Sequence, residues 1–233
     1  RNIPGAGDNA LIPGTQNPPS TTCEVTDNRS VTDVTVSSNM NLQIVTAVTY
    51  TVSGDFTVSS STAGLTVGDN ASALLRIQGD YANSGSFSYN GGTADAGTVE
   101  FNRNDGNPQT IDCDGSGSGA GAFWNLTISG SGTKQLLSDC TVDNDLTISG
   151  GTLDLNGYTL TVNGSLTMSG GTITVGSGTL TVAGALTQNG GTVNNNTGTI
   201  QIGGSYTGTS ITYNENTGTI KFTGTGTIPA ETY

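Results

Sequence analysis

The sequence predicts an all-β fold, a single-stranded parallel β-helix (β-solenoid) of about nine coils of roughly 20–25 residues. Three observations predict it. The first is a fixed repeat near the C-terminus. Asp139–Tyr158, Thr159–Gly178, Thr179–Gly198 and Thr199–Gly218 align without gaps, and Thr219 opens a truncated further copy. A period of this length is the signature of a solenoid. The second is the columns these blocks form. Cys140, Leu160, Leu180, Ile200 and Ile220 share one position; Val142, Val162, Val182, Ile202 and Phe222 share another. Leu146, Leu166, Leu186 and Tyr206 form a third, and Leu153, Ile173, Val193 and Tyr213 a fourth. Threonines and other polar residues alternate with them, which is strand periodicity. The third is glycine at fixed places, notably Gly164, Gly184, Gly204 and Gly224, which reads as tight corners between short strands.

The physical logic is that no single coil can bury its apolar side chains, whereas parallel stacking of coils builds a continuous core. Adjacent coils then rise by roughly 4.8 Å, so nine coils make a rod of about 40 Å. Coils of unequal length suit the right-handed form, because the left-handed form prefers strict hexapeptides.

Taken in order, residues 1–30 form an extended arm rich in proline and glycine, and 31–233 form the β-helix domain. The arm repeats Ile-Pro-Gly and contains Pro18–Pro19, which forbid a central strand. Its isolated apolar groups, Ile3, Leu11 and Ile12, fit three arrangements: a linker, a strap along a neighbouring subunit, or docking on the chain's own solenoid. Strand periodicity begins at Val31. Tyr50–Phe56 (YTVSGDF) then matches Leu75–Tyr81 (LRIQGDY), so Phe56 and Tyr81 stack in one inward column. Gly97–Phe101 opens the next coil, Asn102–Pro108 is a loop, and Gly115–Gly121 is a flexible stretch of Gly, Ser and Ala. Trp124–Gly130 (WNLTISG) leads into the regular array.

Composition excludes several classes. The chain has 233 residues, 18 Asp and Glu against 6 Lys and Arg, and a net charge of −12. Nucleic-acid binding requires a basic footprint that is missing here. No apolar run reaches the length of a membrane span. The hydrophobic fraction of 32% is low for a globule but fits a thin solenoid with one inner layer of side chains. The first residue is Arg rather than Met, the expectation for a processed, exported product.

There is no histidine, which removes the commonest general base and metal ligand. No catalytic residue, metal site or cofactor is assigned. The carboxylates weighed for a polysaccharide-cleaving pair are Asp112, Asp114, Asp139, Asp143, Asp145 and Asp154, with Arg103 and Lys134 the nearby cations. Solvated corner acids explain them as well. Asp112–Ser118 (DCDGSGSG) begins like a calcium loop but lacks the later bidentate Glu. Thr159/Thr161 and Thr179/Thr181 form outward ranks that resemble the threonine arrays of insect ice-binding proteins. The ranks break at Gln201 and Lys221, and threonine suits any β surface. Sequons fall at Asn28, Asn70, Asn125, Asn163 and Asn195. Of the three cysteines, Cys113 and Cys140 sit in inward phases one to two coils apart and are expected to pair; the alternative is three small buried hydrophobes.

The wording GTLDLNGYTLTVNGSLTMSGGTITV, with GDYANSGSFSYN and the GTVEFN…QTI…FWNLTISG run, resembles the repeats of large secreted bacterial surface proteins, the adhesin and haemagglutinin-like β-solenoids. The resemblance covers about residues 48 to 225 and implies export to the cell surface. It carries no particular ligand. The ends add a further expectation. A β-helix has open strand edges only at its ends, and monomeric solenoids cap them. Neither end has a helical pattern, and the last coils turn aromatic at Tyr206, Tyr213, Phe222 and Tyr233. These residues, with Ile3, Leu11 and Ile12, are expected at a subunit interface; decay of the repeat toward its end is the plainer account. The function expected is a structural subunit of an extracellular filament whose partners are copies of itself. The alternative is a monomeric adhesin domain that binds surface glycans.

Overall fold

The structure, a computed structural model, describes residues 10–12, 22–45, 47–68, 73–88, 97–114, 122–210, 212–214 and 216–224. Their 29 strands follow one another in a fixed rotation of three. The first strand of each trio joins a ten-stranded face running from Ala10–Ile12 to Tyr213–Asn214. The third joins a nine-stranded face running from Arg29–Val31 to Tyr206–Thr207. The second joins a four-stranded sheet from Thr22–Val25 to Ser86–Ser88, then a six-stranded sheet from Ala122–Phe123 to Thr219–Phe222. All pairings along the first, middle and last coils are parallel. The chain is therefore a three-faced parallel β-solenoid of about nine turns, with no helix among the described residues.

Short strands of two to four residues cannot stand alone. Fixing each residue costs roughly 1–2 kcal/mol of backbone entropy, and one coil buries too few side chains to offset it. Stacking supplies the rest. One inward column runs Tyr50, Leu75, Val99, Leu126, Leu146, Leu166, Leu186, Tyr206, each directly over the last. All of these residues are buried. The earlier coils carry the aromatic part of the core. Phe56 stacks on Tyr81 at 6.0 Å between ring centroids, and Tyr81 meets the edge of Phe101 at 5.6 Å. Burial raises the Tyr81 phenol well above its ordinary range.

Spacing along the axis widens from 22 residues between Asp33 and Asp55 to 25 between Asp55 and Asp80 before it tightens in the regular array. It is 30 residues from Asp80 to Thr110, where the Asn102–Pro108 loop is accommodated, and 20 from Asp145 to Ser165. The glycine corner has a steric cause. A Cβ on Gly184 would lie 2.6 Å from the Gly164 carbonyl oxygen, and one on Gly204 2.7 Å from that of Gly184. Backbone passes over backbone there with no room for a side chain.

The start of the solenoid differs from expectation. The arm was expected to end at residue 30, yet Thr22–Val25 pairs with Asn41–Ile44, and Arg29–Val31 pairs with Thr49–Val52. Each of these strands places only one or two apolar residues inward, Cys23 and Val25 or Val31, too few to show as a period. Ala10–Ile12 also pairs, with Val34–Val36 of its own chain. That is the own-solenoid arrangement for Leu11 and Ile12.

Candidate functional site

The backbone ladders stop at the two ends and, on the second face, also between Ser86–Ser88 and Ala122–Phe123. At one end the outermost strands are Ala10–Ile12, Thr22–Val25 and Arg29–Val31; at the other they are Tyr206–Thr207, Tyr213–Asn214 and Thr219–Phe222. Each is the last strand of its sheet among the described residues. Of the expected interface residues, Tyr206 lies in the chain's own core, 2% exposed, with its hydroxyl donating to Gln188 Oε1. A tyrosine at this inward position is covered from one side by the Leu186 coil, so aromatic character did not mean a surface role there. Tyr213 is half-buried and accepts a hydrogen bond from Asn195 Nδ2 at 3.0 Å. Phe222 and its neighbour Ile220 are half-buried, packed on the core at the rod's end. Ile3 and Tyr233 lie outside the described residues.

The inward position held by Leu155 and Val175 is taken in the next coil by Asn195, and packing at the end of the rod explains the change. Asn195 is fully buried and also donates to the Thr219 carbonyl at 3.1 Å, tying the last two coils together. On the outside, asparagines continue this as axial ladders. Asn214 Nδ2 donates to Asn194 Oδ1 at 2.7 Å, and Asn216 Nδ2 to Asn196 Oδ1 at 3.1 Å. Asn196 and Asn216 both hold positive φ, 58° and 49°, which asparagine tolerates at a corner.

The acids considered for catalysis act as axial braces. Asp143 accepts from Asn163 Nδ2 at 2.8 Å, Asp145 from the Ser165 backbone N–H at 2.8 Å, and Asp139 from that of Thr159 at 2.7 Å. Asp154 accepts from the Asn156 backbone and from Gln135 Nε2. The same device recurs at another corner, where Asp33, Asp55 and Asp80 each accept the backbone N–H of the next coil. In the calcium-like segment, Asp112 Oδ1 accepts from Ser138 Oγ and the Asp114 backbone N–H; residues 115–121 lie outside the described residues.

Cys113 and Cys140 are joined by a disulfide with Cα atoms 5.5 Å apart, and both are buried. Cys23 lies outside this bridge, half-buried in the Thr22–Val25 strand. Beside the disulfide is an open groove of about 670 Å³ lined by Ser138, Asp139, Thr159 and Thr161 and by two apolar side chains, Leu137 and Tyr158. These two are the exposed large hydrophobics among the described residues. Sequence reasoning passed over them because both sit in turns, outside the inward columns.

Lys134 was considered only as a nearby cation. It occupies an inward column between Gln109 and Leu153 and is fully buried. Its ammonium donates to the carbonyls of Arg103 and Ser131. Burial, with the Arg103 charge adding and Asp105 opposing, pushes its pKa down to about 8. Its register with Leu153 was the signal that could have revealed it. Among the sequons, Asn195 is buried and Asn163 is an exposed corner residue; Asn28 and Asn125 accept backbone N–H bonds, and Asn70 lies outside the described residues. The outward threonines of the repeat are half-buried in their strands.

No helix of the described residues is long and apolar enough to cross a membrane. A scan against protein-family models finds no match to this chain, and neither do searches of curated proteins and of solved structures.

Proposed function

We propose that the chain is a structural subunit of an extracellular filament or surface fibre, assembled through its N-terminal arm and the ends of its solenoid. The observation that carries this reading is the pair of sheet ends, where strands of all three faces stop with an outer edge unpaired among the described residues. An uncovered edge of this kind templates pairing with another chain. A rigid body stapled by a disulfide and braced along its axis by Asp and Asn side chains suits a load-bearing unit. The resemblance to secreted surface solenoids supports the location. Electron microscopy of the native material tests it: fibres with an axial repeat near the length of one rod are expected, and dispersed single rods at every concentration overturn it. Deleting residues 1–21 should reduce assembly.

A second reading, a glycan-binding adhesin domain, is favoured by the groove at Leu137 and Tyr158. An exposed tyrosine ring beside threonine hydroxyls and the Asp139 carboxylate is suitable for stacking and hydrogen bonding to a sugar. Glycan-array binding that disappears in Tyr158→Ala, with no fibres, would favour it instead.

A further inference from the structure

Resting on the fibre-subunit reading, we infer that the second face continues from one copy into the next. The Thr219–Phe222 strand of one subunit pairs in parallel with the Thr22–Val25 strand of its neighbour, and Lys221 stands opposite Glu24.

The two strands are the outermost members of the same face, one at each end of the rod. Among the described residues the outer edges of both are unpaired and point in opposite axial directions, so coaxial stacking brings one against the other with the chains still parallel. Both are four residues long and share an inward–outward alternation. Cys23 and Val25 point in on one strand, Ile220 and Phe222 on the other. Register is thereby restricted to steps of two, because a one-residue slip would turn the apolar set outward. In the full-overlap register Thr219 faces Thr22, Ile220 faces Cys23, Lys221 faces Glu24 and Phe222 faces Val25. Half-exposed apolar groups at each end then meet apolar groups.

Charge selects this register and this polarity. Of the cations among the described residues, Arg29, Arg76 and Arg103 have carboxylate partners, and the Lys134 ammonium donates to two carbonyls. Among the described residues neither Lys221 nor Glu24 has such a partner, and both are exposed. Both stand at the outward centre of their strands, where cross-strand opposite charges favour pairing and like charges oppose it. Joining two identical ends would set Lys against Lys or Glu against Glu. Head-to-tail contact is also heterologous, so it leaves a fresh edge after each addition and grows without limit.

Cys23 provides the test. Directly opposed residues on adjacent strands lie within the Cα separation a disulfide needs. In the full chain carrying Ile220→Cys, oxidation with copper–phenanthroline under assembly conditions should give a reducible ladder of dimer, trimer and higher species. Adding Cys23→Ser should abolish it. Separately, Glu24→Lys and Lys221→Glu should each raise the protein concentration needed for assembly several-fold, and the double exchange should restore it. Fibres that form with no ladder and no sensitivity to either charge reversal overturn this contact while leaving the fibre reading intact. A ladder that stops at dimer overturns the head-to-tail polarity. A chain that never assembles removes both readings, and a melting curve close to wild type for each variant shows that the fold is not the cause.

Discussion

The Tyr206 hydroxyl donates to Gln188 Oε1 inside the last full coil, a polar contact enclosed by apolar columns. Gln188 in turn donates from Nε2 to the carbonyls of Gly191 and Thr212, so every polar atom of this buried amide is engaged. Removing the hydroxyl orphans an acceptor where water cannot reach it, at a cost of about 1–3 kcal/mol. Tyr206→Phe should therefore lower the denaturant midpoint. Gln188→Met should lower it as well, because the carbonyls of Gly191 and Thr212 then lose the Nε2 donor.

Adjacent residues on one strand separate core from surface. Leu166 is fully buried over Leu146 and under Leu186, while Thr167 points outward and is exposed. Leu166→Ala leaves a cavity and should cost about 2–5 kcal/mol. Thr167→Ala should change stability by less than about 0.5 kcal/mol. Paired chemical denaturation curves of the two variants measure the contrast, and equal losses would mean the column is misassigned.

The sequence revealed most where the inner and outer chemistries differ consistently. Leu160, Leu180 and Ile200 repeat at a constant spacing with threonine between them, so the parallel register of that face is legible from columns alone. Phe56 and Tyr81 were legible for the same reason, despite a longer turn between them. The first coil was not, because Thr22–Val25 has one small and one β-branched inward residue and no preceding copy to align against. Lys134 was misleading for a different reason. An inward ammonium contradicts the column rule, and only the carbonyls of Ser131, in the turn just before its strand, and of Arg103, one coil earlier, make it tolerable there. The corner acids could be found in the sequence but not their role, since bracing depends on which backbone N–H the next coil presents.

The Cys113–Cys140 bridge closes 27 residues of sequence and ties the irregular coils to the regular ones. A loop of that length restrains the unfolded chain by about 3–4 kcal/mol on the chain-entropy estimate. Cys113→Ala with Cys140→Ala should lose an amount of that order. Thermal melting with and without a reductant provides the check. The double variant should be insensitive to the reductant, while the wild-type melting point falls toward it.

Lys134 gives the fold a pH dependence whose sign is fixed by its burial. Its pKa in the native chain is pushed down to about 8, against roughly 10.4 for an unperturbed lysine. Below pH 8 the ammonium is charged in both states, and the native state carries the full desolvation cost. Between about pH 8 and 10 the unfolded chain retains a proton that the native chain has released, so stability rises with pH. The slope for one such group approaches about 1.4 kcal/mol per pH unit. Buried tyrosines act in the opposite sense at higher pH. Burial pushes Tyr50 up to about 12, so above pH 10 the unfolded chain loses a proton that the native chain keeps. The lysine effect is therefore isolated below about pH 9.5. Denaturant midpoints at pH 7, 8 and 9 should climb for the wild type and stay flatter for Lys134→Met, whose inward side chain is of similar length but does not titrate. Parallel curves for the two proteins would show that the Lys134 ammonium is not desolvated in the native rod.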